Sequence, residues 1–235
     1  TLEPLEEYAK EMGLERPVFK RLGSIFPPEN LLTLYTDRVS MRYEDRALEE
    51  NYRLLTDILV DTVDSVRVNT IVFFPSYGFM DRMSGDGLIE RLGRDIFFER
   101  SGMPQGELMD TFERFRMSEG GVLFAVTGGR ISEGLDFPDR TLELAVIVGI
   151  PFSKPTAKSR AMIRYYDSRF GDGRRCVVMI PAIRRIRQSI GRLIRSETDR
   201  GVAVILDRRA PSLGIDAMLC SDIPSAVAAF FRHNR

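Results

Sequence analysis

Two cysteines, one histidine and no long apolar run set the first limits on this 235-residue chain. Cys176 and Cys220 stand far apart, so there is neither a disulfide framework nor metal-ligand spacing, and a reducing, cytoplasmic setting is expected. His233 lies at the very end and reads as a solvated tail residue, not a ligand. No apolar stretch approaches the roughly 20 residues of a membrane span. The opening TLEPLEEYAK is acidic and amphipathic, unlike a signal peptide, so no membrane partner is expected. Repeats and low-complexity tracts are missing.

The usual phosphate loops are missing too. No G-x-G-x-x-G follows a strand. The stretch from Gly129 to Gly134 has the outer glycines of a Walker A loop but continues Leu135-Asp136 where Lys-Ser/Thr is required. VAVILD resembles a Walker B strand ending in Asp207, but it has no Walker A partner. No G-x-S-x-G and no Cys/His pair suggests another nucleophile. The chain alone therefore lacks the parts to bind and hydrolyse a nucleoside triphosphate.

What is present is an uneven charge. Lys+Arg and Asp+Glu balance at 34 each, yet residues 152–195 carry 12 basic and only 2 acidic side chains. Such a field attracts polyanions, either nucleic acid or nucleotide phosphates. Along the chain, short apolar runs alternate with helical patterns. Strands are expected at 31–37, 70–76, 95–99, 121–126, 143–151, 175–181 and 201–207. Helices are expected at 44–66, 77–92 (interrupted near SGDG, 84–87), 106–120, 154–170, 183–195 and 223–231. This alternation predicts an α/β fold with a mostly parallel sheet and helices on both faces. Ligands in such sheets bind at the carboxyl ends of the strands.

One helix is unusual. At about 100° per residue, with Gln188 at zero, Arg192 falls near +40°, Arg195 near −20°, Arg184 near −40° and Arg185 near +60°. Ile183, Ile186, Ile190, Leu193 and Ile194 fall on the opposite side. One face is core; the other is a strip of guanidinium groups led by a glutamine. No acidic residue within 183–195 pairs with the strip at i,i+4. That pattern suits a phosphate clamp, as arginine fingers act in phosphoryl transfer. A basic solvated face paired with carboxylates from elsewhere is the plainer reading.

These residues resemble the second motor domain of superfamily 2 helicases, in the XPD/Rad3/DinG branch of iron–sulfur DNA helicases. Gln188-x-x-Gly191-Arg192-x-x-Arg195, within residues 187–201 and followed by DRRA, is similar to motif VI. TGGRISEGLDF (127–137) is similar to motif V, VFFPSY (72–77) to motif IV, and YTDRVSMRYEDR (35–46) to the segment leading into that domain. TLEPLEEYAKEMG resembles sequence just after motif III, so residues 1–30 are expected to be a lead-in to a single RecA-like domain. Arg200 and Arg208 depart from the branch, where an aromatic residue and a lysine are frequent.

The resemblance implies an ATP-dependent, 5′→3′ DNA helicase, archaeal in type, nucleoid-associated if prokaryotic, and active in DNA repair. Its partners would be single-stranded DNA and an N-terminal motor domain with arch and iron–sulfur domains. ATP and Mg²⁺ would be shared with that first domain. The 4Fe-4S cluster would lie in the parent protein and not in this chain. Gln188, Arg192 and Arg195 would face the γ-phosphate. Glu133, Gly134 and Asp136 would form the nucleotide loop, with Asp136 on the ribose hydroxyls. Ser76, Tyr77, Gly128, Gly129, Arg130, Ser132, Lys154, Lys158, Arg160 and Arg164 would contact DNA. Tyr77 would stack on a base, whereas Phe73 and Phe74 read as core. Tyr165 and Tyr166 offer further stacking rings, one of them expected in the core. The alternative is a stand-alone nucleic-acid-binding RecA-like domain without ATPase activity.

Overall fold

The computed structural model describes residues 5–20, 22–134, 137 and 141–233, with no side-chain description for 133, 134 and 233. Among them, seven parallel strands form one sheet in the order β3-β4-β2-β5-β6-β1-β7. They are β1 Leu31–Tyr35, β2 Thr70–Phe74, β3 Ile96–Phe98, β4 Val122–Val126, β5 Leu144–Val148, β6 Gly201–Leu206 and β7 Met218–Leu219. The four central strands are buried along their whole length. This explains why they read as continuous apolar runs: a parallel sheet is covered on both faces.

The helices are α1 Leu5–Glu11, α2 Glu49–Asp64, α3 Tyr77–Met83, α4 Ile89–Leu92, α5 Gln105–Arg116, α6 Arg130–Gly134, α7 Ala157–Phe170, α8 Ile180–Ile190 and α9 Ile223–His233. Strand alternation divides the core. Val72, Phe74, Phe124, Val146 and Val204 pack on one face beneath α2, α3 and α9. Ile71, Phe73, Leu123, Ile147 and Ile205 pack on the other beneath α5, α6 and α8. Successive strand side chains point to opposite faces, so both faces receive a full apolar layer. Phe73 and Phe74, one on each face, are fully buried as expected.

Two expectations fail locally. Residues 175–181 are not a strand. Arg175–Met179 form a widened helical turn that runs straight into α8. Periodicity cannot separate a short apolar run from a helix. Pro181 looks like a terminator, yet it sits at the first turn of α8, where its missing N–H is tolerated. The helix expected over 183–195 ends at Ile190. The Gly191 N–H reaches back to the carbonyls of Arg187 and Ser189, and the chain then leaves helical geometry. Between α3 and α4 the expected interruption is present: Asp86 and Gly87 are non-helical.

Candidate motor-domain site

The site has two parts, one at the carboxyl edge of the sheet and one on α8 and the loop that leads from it to the amino edge. Residues 75–77 and 127–129 leave the carboxyl ends of β2 and β4. Residues 191–200 instead lead into Gly201, the amino end of β6. The first two segments thus lie at the carboxyl edge, where such sheets bind ligands, and the arginine loop leads into the amino edge.

At the carboxyl edge, Ser76 is exposed and caps α3, its hydroxyl accepting from the Phe79 N–H at 3.3 Å. Tyr77 is half-buried, and its hydroxyl donates to Glu99 Oε1 at 2.9 Å. Burial first, and then this bond, push the phenol up to about 12. The loop after β4 turns at Gly128, whose φ of 80° suits glycine. Its amides are turned inward. Gly128 N–H donates to Ser132 Oγ at 2.8 Å, Gly129 N–H to the Val126 carbonyl at 2.8 Å, and Arg130 N–H to Glu99 Oε1 at 2.8 Å. Phosphate binding through the Gly128 and Gly129 amides, expected from sequence, would have to replace these bonds. Ser132 is buried, and its Oγ also donates to the Gly129 carbonyl. Arg130 is exposed but its guanidinium bonds the Met103 carbonyl and Gln105. Lys154, Lys158, Arg160 and Arg164 are all exposed. α7, which carries the last three, has no buried residue; Ile163, Tyr166 and Phe170 are its half-buried side, and Tyr165 is exposed.

Along α8 and the loop that follows it, Ile183, Ile186, Ile190 and Leu193 are buried on the side the helical spacing requires. The guanidinium strip is not continuous, because Arg192 and Arg195 lie beyond the helix. Arg185 ties α8 to the segment after β5, donating to the Pro151 carbonyl and to Ser153 Oγ at 3.1 Å each. Gln188 is exposed on the last turn of α8. Arg192 is half-buried and its Nη2 donates to the Ser132 carbonyl at 2.7 Å. Arg195 is exposed, and its position is set from below: Asp199 Oδ2 accepts the N–H groups of both Arg195 and Ser196 at 2.7 Å. Leu193 packs so closely over Gly201 that a Cβ there would lie 2.8 Å from its own Cβ.

Sequence reasoning missed two residues here. Asp199 carried a usable signal, since Ser196-x-x-Asp199 has the spacing by which an acidic side chain returns to a backbone N–H. Glu99 showed only as an acid closing an apolar strand. Glu133 and Gly134 end α6, and Asp136 lies outside the described residues.

The residues present do not fit an iron–sulfur cluster. Cys176 and Cys220 are its only cysteines, and no three His, Cys, Asp or Glu side chains converge among the described residues. Asp207 is fully buried and held by Arg209 through Nε at 2.9 Å and Nη2 at 2.6 Å, which gives it a structural task and not a metal's.

A family model for the helicase C-terminal domain matches residues 59–226. The chain belongs to the helicase C-terminal domain family. Among its relatives is a probable ATP-dependent helicase of Methanocaldococcus jannaschii, 32% identical over 226 residues, which are 89% of this chain and 33% of that protein. The XPD subunit of general transcription and DNA repair factor IIH of Dictyostelium discoideum is 28% identical over 229 residues, covering 89% of this chain and 29% of that protein. A solved structure titled XPD_APO superposes with a TM-score of 0.70 at 21% identity, covering 92% of this chain and 46% of that one. The fold is thus the RecA-like fold of XPD, and the domain is of the XPD/Rad3 type. It spans 21% to 33% of the length of the first curated relatives. No helix among the described residues is long and apolar enough to cross a membrane.

Proposed function

We propose that this helicase C-terminal domain is the second motor domain of an ATP-dependent DNA helicase that translocates 5′→3′. In this reading a first motor domain brings ATP and Mg²⁺ to the arginine loop. Arg192 and Arg195 act as fingers on the γ-phosphate, and Gln188 contacts the phosphate or the attacking water. Glu133, Gly134 and Asp136 form the nucleotide loop, with Asp136 on the ribose. Single-stranded DNA crosses the carboxyl edge of the sheet, along Ser76, Tyr77 and the 128–132 loop. The exposed Lys154, Lys158, Arg160 and Arg164 draw its phosphates in without reading sequence. The arch and iron–sulfur domains of such a helicase lie in other parts of the parent protein.

The observation that carries this reading is the bond from Arg192 to the Ser132 carbonyl. Ser132 also holds the 128–129 turn. A finger and a strand-contact loop thereby share one short segment, α6. Charge drawn to Arg192 would alter the segment that shapes the loop, which is what coupling hydrolysis to movement on DNA requires.

The test is DNA-stimulated ATP hydrolysis, measured on the folded chain alone and joined to a first motor domain bearing Walker A and B. The chain alone is expected to be inactive. The joined form should turn over, and Arg192→Ala should lower its rate by about 10³-fold or more, the scale of a lost arginine finger. Turnover by the chain alone would defeat the proposal. A joined form that binds DNA but hydrolyses nothing would favour a stand-alone nucleic-acid-binding domain.

A further inference from the structure

Glu99 is an acid buried in a place where burial is expensive. Its side chain is fully inaccessible, directly after β3 at the carboxyl edge of the sheet. An uncompensated carboxylate there would cost several kcal/mol in lost hydration. No described cation pairs with it. Three donors converge on it instead: the Tyr77 hydroxyl and the Arg130 N–H on Oε1, at 2.9 and 2.8 Å, and the Val126 N–H on Oε2, at 3.2 Å. The loop is built to admit it. A Cβ at Gly129 would lie 2.5 Å from Oε1 and 2.7 Å from Oε2, so only glycine lets the backbone lie against the carboxylate.

The donors come from two separate segments. Tyr77 opens α3 after β2. Val126 and Arg130 flank the turn after β4. We infer that Glu99 is a positioning residue that clamps these two segments into one strand-binding unit, so that the tyrosine and the 128–132 loop meet DNA in fixed register. The inference rests on the proposed DNA contact of this edge. It goes further in assigning the geometry of that contact to a side chain that itself never touches DNA.

Tyr77→Phe and Glu99→Gln separate this role from simple stability. Tyr77→Phe keeps the ring for stacking and removes only the bond to Glu99. Glu99→Gln keeps the volume but replaces one acceptor by a donor aimed at Val126 N–H. Binding of a fluorescein-labelled oligo(dT) to the 235-residue chain is followed by anisotropy across a salt series, at temperatures where each variant is folded. Each variant should bind about tenfold more weakly, the scale of one lost charged hydrogen bond. The salt dependence should be shallower, because fewer phosphates are held. The double variant should bind no more weakly than the weaker single one. Should Glu99→Gln fail to fold, Tyr77→Phe decides alone. Variants that melt earlier yet bind with wild-type affinity and salt slope would reduce Glu99 to a structural residue and overturn the inference. A wild-type chain that binds no oligo(dT) would defeat the DNA-contact reading itself, and the inference with it.

Discussion

Asp199→Ala should loosen the arginine loop selectively. The carboxylate is buried, and one of its oxygens accepts two backbone N–H groups, from Arg195 and Ser196, at 2.7 Å each. A hydrogen bond to a charged acceptor contributes about 1.5–3 kcal/mol. Two such bonds would give about 3–6 kcal/mol if both donors were left dry. Arg195 is exposed and Ser196 half-buried, so water can reach the freed amides. Removing a buried charge also recovers part of its desolvation cost. The net loss should therefore be about 2–3 kcal/mol, or roughly 4–12 °C in Tm for a domain of this size. Asp199→Asn, whose amide oxygen can still accept both N–H groups, should retain more than half of the difference. Thermal unfolding followed by circular dichroism measures both variants. In the form joined to a first motor domain, Asp199→Ala should also lower the hydrolysis rate, since the Arg195 backbone loses the carboxylate that accepts its N–H. An Asp199→Ala shift below about 1 °C would show that the carboxylate is not what fastens the loop.

Gly201→Ala would place a methyl group 2.8 Å from Leu193 Cβ and 3.2 Å from the Glu143 carbonyl. Overpacking of this kind costs about 1–3 kcal/mol, although alanine is otherwise the better strand residue. A Tm equal to or above wild type would mean that Leu193 does not sit tightly on the strand. Alkaline denaturation should report on Tyr77. Its folded pKa lies above the ordinary 10.0, at about 12, because burial and the bond to Glu99 favour the protonated phenol. Its contribution to stability is thus fully present below pH 10.0 and is lost as pH rises toward about 12. Denaturant midpoints measured across that window should fall more steeply for wild type than for Tyr77→Phe, and equal slopes would contradict the assignment.

The fold was legible because its strands are buried on both faces and carry an unbroken apolar signal. TIVFF, VLFAV, LAVIV and GVAVIL lie at 70–74, 122–126, 144–148 and 201–206, within two residues of expectation except for longer flanks on LAVIV. The same signal misled at 175–181, where Val177, Val178 and Met179 are only half-buried. Their segment packs against α7 and α8 without entering the sheet, and Met179 lies against the core beneath α8. The buried half of α8 was legible from its isoleucines. Its end was not, because Gly191 terminates the helix and the carboxylate that shapes the arginine loop lies eight positions further on. Glu99 was illegible for a related reason. What it does depends on Tyr77 and Arg130, 22 and 31 residues away, and periodicity carries no information about such pairings.

Had α8 continued to residue 195, Arg192 and Arg195 would be fixed to a rigid cylinder packed on the sheet by Ile183, Ile186 and Ile190. They stand instead on a loop. Besides the Asn30 amide, which donates to the Glu197 carbonyl, its fastenings include the carboxylate of Asp199, the contact of Leu193 with Gly201, and the bond from Arg192 to the Ser132 carbonyl. The Asp199 carboxylate and the Leu193 contact hold the loop to its own neighbourhood. The Arg192 bond leads through Ser132 to the turn at Gly128 and Gly129, and Glu99 continues it to Tyr77. A neutral carbonyl binds a guanidinium less strongly than a phosphate does. In the proposed motor, a γ-phosphate would compete with Ser132 for Arg192, and its loss after hydrolysis would return the guanidinium to the carbonyl. Exchange of the bond between Arg192 and the Ser132 carbonyl would then connect the arginine loop to the strand-contact edge, with α6 as the part that registers it.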